Sequence, residues 1–107
     1  MDSLSETLAA LSHPTRRAIL SSLAKDGPQR FLDVAKPFDT ALNAVTKHLK
    51  QLERAGLIHK RKQGREVVIS FRAGPIRDVV TWANGYEQFW NTQLDAFQRH
   101  FHPKQKS

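Results

Sequence analysis

Between Lys47 and Arg65 the chain places seven basic side chains (Lys47, Lys50, Arg54, Lys60, Arg61, Lys62 and Arg65) against one acid, Glu53. This stretch holds nearly all of the formal charge of +7 carried by 107 residues. Cations concentrated in one segment make charge-assisted hydrogen bonds to a polyanion, and phosphates are the commonest such partner. Exposed Lys and Arg on a hairpin also blunt sheet edges against aggregation, so charge alone does not decide. Other chemistry is thinly represented. Cys is absent, which removes disulfides, thiolate metal ligands and Cys nucleophiles together. No glycine-rich phosphate loop or nucleophile motif is present, so an enzyme is not expected, and no cofactor is implied.

The elements that must carry these residues follow from hydropathy and punctuation. Leu4, Leu8 and Leu11 lie at helical spacing, with Ser3 available as N-cap. Pro14 suits a first helical position, and Ala18, Ile19, Leu20 and Leu23 form the apolar stripe of a second helix that stops at Gly27-Pro28. Phe31, Leu32, Val34 and Ala35 give a short third helix ending at Pro37. Leu42, Val45, Leu49 and Leu52 are one face of a fourth, capped by Asp39 or Thr40 at its start and by Gly56 at its end. The Phe38–Ala41 link is as short as the turn of a helix-turn-helix. Beyond Gly56 the period changes, and Leu57–Lys62 faces Val67–Phe71 across Gly64 as a β-hairpin with a basic tip. From Ile76 to Phe101 helical spacing returns, predicting one helix of about 26 residues, roughly 39 Å long, with Gly85 inside it.

These elements predict a mainly α fold with a small β-hairpin: a winged helix-turn-helix of about five helices and a two-stranded wing. One domain over 1–107 is expected, with a DNA-binding core at about 13–72. If Leu42, Val45, Leu49 and Leu52 face the core, then Asn43, Ala44, Thr46, Lys47, Lys50 and Arg54 face away. An α-helix fits the major groove, where Asn pairs with adenine, Lys with guanine, and Ala44 or the Thr46 methyl touches thymine. Lys50, Arg54 and the wing residues Arg61, Lys62 and Arg65, with Lys60 beside them, suit phosphates. RNA fits poorly, because its deep, narrow major groove excludes a helix. The apolar stripe of the last helix (Val79, Ala83, Tyr86, Trp90, Leu94, Phe97) exceeds what so small a core can absorb. A second copy of the chain is the expected cover, giving a homodimer and an inverted-repeat operator.

Two runs carry a family resemblance: Leu8-Ala-Ala-Leu-Ser-His-Pro-Thr-Arg-Arg-Ala-Ile-Leu20 and Ala44-Val-Thr-Lys-His-Leu-Lys-Gln-Leu-Glu-Arg-Ala-Gly-Leu-Ile58. With the hairpin Lys60-Arg-Lys-Gln-Gly-Arg-Glu-Val67 they span roughly residues 4–71, and the chain resembles the ArsR family of bacterial winged helix-turn-helix repressors. The resemblance implies a homodimeric, often autoregulatory repressor whose first and last helices, here about 3–12 and 75–102, form the interface, with Leu4 and Leu8 contributing. It also implies that Thr46, Lys47 and His48 lie in the DNA-contacting stretch. With Thr40 at the helix start, the expected DNA-facing set is Thr40, Asn43, Ala44, Thr46, Lys47, His48, Lys50, Arg54, Arg61, Lys62 and Arg65.

The sequence departs from the family in its signal chemistry. The helix before the turn offers Phe31-Leu32-Asp33-Val34 and no thiol. The last helix has Asp78, Glu87, Asp95 and His100 without the family's paired ligands, and His100 and His102 diverge on a regular helix. No metal is expected, and the chain resembles the non-metal branch. The alternative is a metal- or small-ligand-responsive sensor released from DNA by a non-thiolate inducer, either a small molecule or a protein. His13 is expected to cap or pack locally, and His59 to be exposed. His48 has two readings, a phosphate donor or a filler of a helix seam. Asp2 and Glu6 stand where a secretory leader would be basic then apolar. No membrane partner is expected, and the predicted location is the bacterial cytoplasm, at the nucleoid when bound to DNA.

Overall fold

The computed structural model describes residues 2–38 and 41–101. Among them are α1 (Ser3–Leu11), α2 (Pro14–Asp26), β1 (Gln29–Arg30), α3 (Phe31–Ala35), α4 (Leu42–Arg54), β2 (Ile58–Gln63), β3 (Glu66–Phe71), α5 (Gly74–Asn84) and α6 (Glu87–Phe101). This is a winged helix-turn-helix with one strand more than expected. Gln29 and Arg30 pair with Ile69 and Val68, giving an antiparallel sheet of order β1-β3-β2. A two-residue strand has no periodicity to betray it, and it forms because β3 offers an open edge.

The core gathers Ile19, Leu20 and Leu23 of α2, Val34 and Ala35 of α3, Val45, Leu49 and Leu52 of α4, and Leu57, Ile58 and Ile69 around the sheet. Ala18, placed by its spacing on the α2 stripe, is exposed instead. Gly56 follows α4 at φ +77°. Its N–H donates to the Glu53 carbonyl (2.9 Å) and that of Leu57 to the Leu52 carbonyl (2.9 Å). These two bonds are a Schellman motif, which closes α4 and turns the chain straight into β2. At the wing tip Gln63 faces Glu66, leaving Gly64-Arg65 as a two-residue loop. Gly64 has φ +63° and Arg65 does not have positive φ, the arrangement a II′ turn needs at its first central position.

Two expectations at helix ends are corrected. The N-cap of α1 is Asp2, whose Oδ1 accepts from the Ser5 N–H at 2.7 Å, and Ser3 is the first helical residue. A carboxylate at a helix start also meets the positive end of the dipole. The predicted 26-residue helix is interrupted, with α5 ending at Asn84 and α6 beginning at Glu87. Gly85 N–H bonds the Trp82 carbonyl (3.1 Å) and Tyr86 N–H the Ala83 carbonyl (3.0 Å), so the helix tightens for a turn to i→i+3 bonding.

α5 packs on α1 through half-buried Pro75, Ile76 and Val79, whereas every residue from Thr81 to His100 is exposed. The radius of gyration is accordingly 18.7 Å, against about 13 Å for a compact chain of this length. Replacing Gly56 by Ala puts a Cβ on a left-handed residue, with only an ordinary 3.6 Å contact to Pro75 Cγ. Gly56→Ala is therefore expected to lose about 1 kcal/mol of stability, seen as a lower denaturation midpoint at unchanged m-value; an unmoved midpoint would contradict the capping role.

Candidate nucleic-acid interface

On α4 the side chains sort by angle. Val45, Leu49 and Leu52 are buried, while Asn43, Lys47, Lys50 and Arg54 are exposed. Asn43 and Lys47 stand two residues from Val45 and Leu49, hence about 160° around the helix from the buried row at 3.6 residues per turn. The exposed four recur at offsets of four, three and four, so they form one stripe along the outer face. Among the described residues, none of its three cations has an ion-pair partner. Ala44 and Thr46 flank the stripe, half-buried. Thr46 Oγ1 donates to the Leu42 carbonyl at 2.9 Å, which spends the hydroxyl inside the helix and leaves the methyl for outside contact.

Leu42 does not join the buried row. It is 53% exposed, because a side chain at the first helical position leans back past the helix end and has no preceding turn to lie on. The residue at the N-cap position is Ala41, which makes no side-chain capping bond. Asp39 and Thr40, expected as caps, lie outside the described residues, as do His102 and the Thr40 assignment to the interface.

The wing stands beside this stripe. Lys60 Nζ reaches Glu53 Oε1 at 3.3 Å and ties β2 to α4, so Lys60 serves the fold rather than the basic tip. Arg61 pairs across the ladder with Val68 and Lys62 with Val67. Neighbouring strand residues point to opposite sides, so the wing presents Arg61 on one face and Lys62 on the other, with Arg65 at the tip. All three are exposed. Arg30 Nη1 bonds Glu66 Oε1 (3.1 Å) and its Nε bonds Asp33 Oδ2 (3.0 Å), linking the start of α3 to the root of the hairpin. These exposed pairs are each worth about 0–1 kcal/mol.

Behind α4 lies a seam that holds its orientation. His13 caps α2 by accepting from the Thr15 N–H at Nδ1 (3.1 Å). The His48 ring sits 4.4 Å from the His13 ring, and its Nδ1 lies 3.3 Å from Arg16 Nη1. Arg16 can only donate, so that Nδ1 accepts and the His48 ring is neutral. Arg16 also donates from Nε to the Ala10 carbonyl (2.6 Å), and Arg17 from Nη1 to the Leu11 carbonyl (2.6 Å). Both arginines thus satisfy the open C-terminal carbonyls of α1. The sequence reading passed over them. The signal was their placement in the first turn of α2, where the dipole disfavours a cation unless another helix end attracts it.

A helix-turn-helix domain family matches residues 11–61, spanning α2 to the first residues of the wing. Among solved structures, an ArsR family transcriptional regulator is 37% identical, with a TM-score of 0.77 over 83% of this chain and 91% of its own. The chain belongs to the ArsR family of transcriptional regulators. An ArsR-like transcriptional regulator from Rhodococcus sp. RHA1 is 27% identical, with a TM-score of 0.71 and 91% of both chains covered. A possible transcriptional regulator for arsenical resistance is also 27% identical, with a TM-score of 0.70 over 86% of this chain and 92% of that one. No curated protein matches the chain significantly.

As an ArsR-family chain with a helix-turn-helix, it is a DNA-binding transcriptional regulator and not an enzyme. Its partner is double-stranded DNA. Among the described residues no three His, Cys, Asp or Glu side chains cluster as metal ligands, and no helix is long and apolar enough to cross a membrane. Burial first, and then the neighbouring His13 and Arg16, push the His48 imidazole below its ordinary value. The unfolded chain then binds a proton that the folded chain refuses. Stability is therefore full above about pH 6.5 and falls as pH drops below it. Denaturation midpoints between about pH 7 and about pH 5 should fall more steeply for the parent than for His48→Gln; superimposable curves would remove His48 from the seam's proton balance.

Proposed function

We propose that the chain is a homodimeric repressor that reads an inverted-repeat operator through α4 and grips the flanking backbone with the wing. The observation that carries this reading is the unpaired stripe Asn43, Lys47, Lys50 and Arg54, backed by a fully buried row and flanked by the wing cations. Asn43, Ala44, Thr46 and Lys47, in the first half of α4, read base edges. Thr40, outside the described residues, is assigned to the same DNA-facing set. Lys50, Arg54, Arg61, Lys62 and Arg65 meet phosphates, and His48, wedged against α2, orients the row from behind. Residues 13–72 form the DNA-binding core.

Dimerisation falls to 3–12 and 75–102. In the single chain Tyr86, Trp90, Leu94 and Phe97 are each about half exposed, and Leu8 and Ala83 are exposed beside half-buried Leu4 and Val79. An amphipathic helix with an uncovered aromatic stripe is not stable alone in water, and an exposed patch of this size marks an association surface. A two-fold axis would cover it with its own copy and set two recognition helices about 34 Å apart, one turn of DNA. Repression, autoregulation and a place at the bacterial nucleoid in the cytoplasm are what the family resemblance implies.

On DNA from the chain's own promoter region, Asn43→Ala and Lys47→Ala should each cost about 1–3 kcal/mol at their matching base pairs and little elsewhere. Unchanged sequence preference in Asn43→Ala would refute base reading by that residue. Arg65→Ala should weaken all duplexes alike and flatten the salt dependence by about one unit of slope; a parent-like slope would remove Arg65 from the phosphate set. Trp90 is 56% exposed, with its ring against neighbouring Phe89, so Trp90→Ala should sediment as a folded monomer where the parent is a dimer, and an intact variant dimer would count against α6.

A further inference from the structure

Between α3, α4 and the wing the surface folds into a cavity of about 350 Å³, within the size range of small-molecule sites. Its walls are mostly apolar: Phe31 and Leu32 from α3, Leu49 from α4, Val67 and Ile69 from β3. Leu32 is 66% exposed, a large apolar side chain left mostly open to solvent at the rim. Thr46 lines the cavity too, and because its hydroxyl is held by the Leu42 carbonyl, it adds to the apolar lining. A dry cavity of about 150 Å³ holds benzene, so this one has room for two fused rings.

The polar groups at the rim are unequal. Arg30 is engaged by both Asp33 and Glu66, so its charge is already more than matched. Lys60 is engaged by Glu53. Arg65 has no ion-pair partner among the described residues, and it is exposed in the wing's two-residue loop. The cavity thus combines an apolar interior with one uncommitted guanidinium, the fork that recognises a carboxylate. A multiply charged phosphate ester would leave the apolar walls wet, and a neutral hydrocarbon would forgo the charge-assisted bond.

We propose that this cavity binds a small organic acid, an aromatic body of one or two rings bearing a single carboxylate, and that occupation excludes duplex DNA. The exclusion rests on the interface reading above. Thr46 and Arg65 belong both to the cavity and to the DNA-facing set, so a ligand that draws Arg65 inward and sits against Thr46 takes two contacts away from the duplex. Binding at one site then weakens the other by the same factor in both directions.

The test uses 1-naphthoate as probe and 1-naphthamide as its uncharged counterpart, titrated into the full chain and followed by backbone amide NMR. Naphthoate should shift the amides of Phe31, Leu32, Thr46, Arg65 and Val67 together, and naphthamide should bind about tenfold more weakly, the worth of one charge-assisted hydrogen bond. Arg65→Gln should lower naphthoate affinity to that of naphthamide and leave naphthamide unchanged. Leu32→Gln, at an exposed position with no assigned DNA contact, should fold and hold duplex as the parent does while losing about fivefold in naphthoate affinity. Naphthoate should also release promoter DNA from the parent over the range in which the shifts saturate. Shifts centred on α6, equal binding of acid and amide, or a ternary complex with DNA would each overturn the proposal. A parent that binds no duplex at all would fell the DNA reading, and the NMR arms would still decide the cavity.

Discussion

The rotation of α4 about its own axis is the constraint on which the interface depends. A helix can present any face to its surroundings, and only the burial of Val45, Leu49 and Leu52 against α2 and the sheet fixes which one. Full burial of a large aliphatic side chain is worth about 1.5–3 kcal/mol, so three together outweigh any turn of the helix that would expose them. The ion pairs that bridge α4 and α3 to the wing are solvent-exposed or partly so, and each is weaker by severalfold. Packing therefore decides which side chains point outward, and charge decides what they meet. The Schellman closure at Gly56 carries this choice into the wing, because three residues, Ala55, Gly56 and Leu57, separate β2 from a helix whose rotation is already set.

How much of this was legible in the sequence follows the same division. The α4 faces, the glycine that ends the helix and the basic hairpin could be read because each rests on a local rule with several residues behind it. Readings that rested on one residue divided: His13 caps α2 and Pro14 opens it as expected, while Leu42 and Ser3 do not take the places their type and spacing suggest. Leu42 matches the stripe by spacing but has no turn beneath it, and Ser3 matches an N-cap by type although Asp2 holds the position. β1 is invisible because two residues have no period and owe their conformation to β3. Arg16 and Arg17 entered only as part of a family-bearing run, since their task, satisfying α1 across a helix junction, depends on a contact between elements. The candidate cavity was likewise beyond reach: its walls come from three elements whose relative placement no one segment encodes.

The two halves of the molecule differ in how they are held. From α1 to β3 a core of buried apolar side chains closes within the chain, and the seam of His13, Arg16 and His48 adds polar bonds that need both imidazoles unprotonated at Nδ1. From Thr81 to His100 every residue is exposed, with ring contacts between the near neighbours Trp82 and Tyr86 and between Phe89 and Trp90, and the aromatic residues are arranged as regularly as a core. A fold that leaves so ordered a surface bare is one whose stability is shared with whatever covers it, so concentration belongs among the variables that govern it.

The interruption at Gly85 has a mechanical meaning. A Cβ there would lie 3.1 Å from the Trp82 carbonyl, closer than most side chains sit, so glycine suits the joint between α5 and α6. Over the roughly 22 Å length of a 15-residue helix, a tilt of about 5° displaces the far end by about 2 Å. Were two copies joined through these arms as proposed, an equal tilt in each would double the displacement between them. Gly85 is then the fulcrum of a pair of calipers, whose jaw width is adjusted far from the jaws.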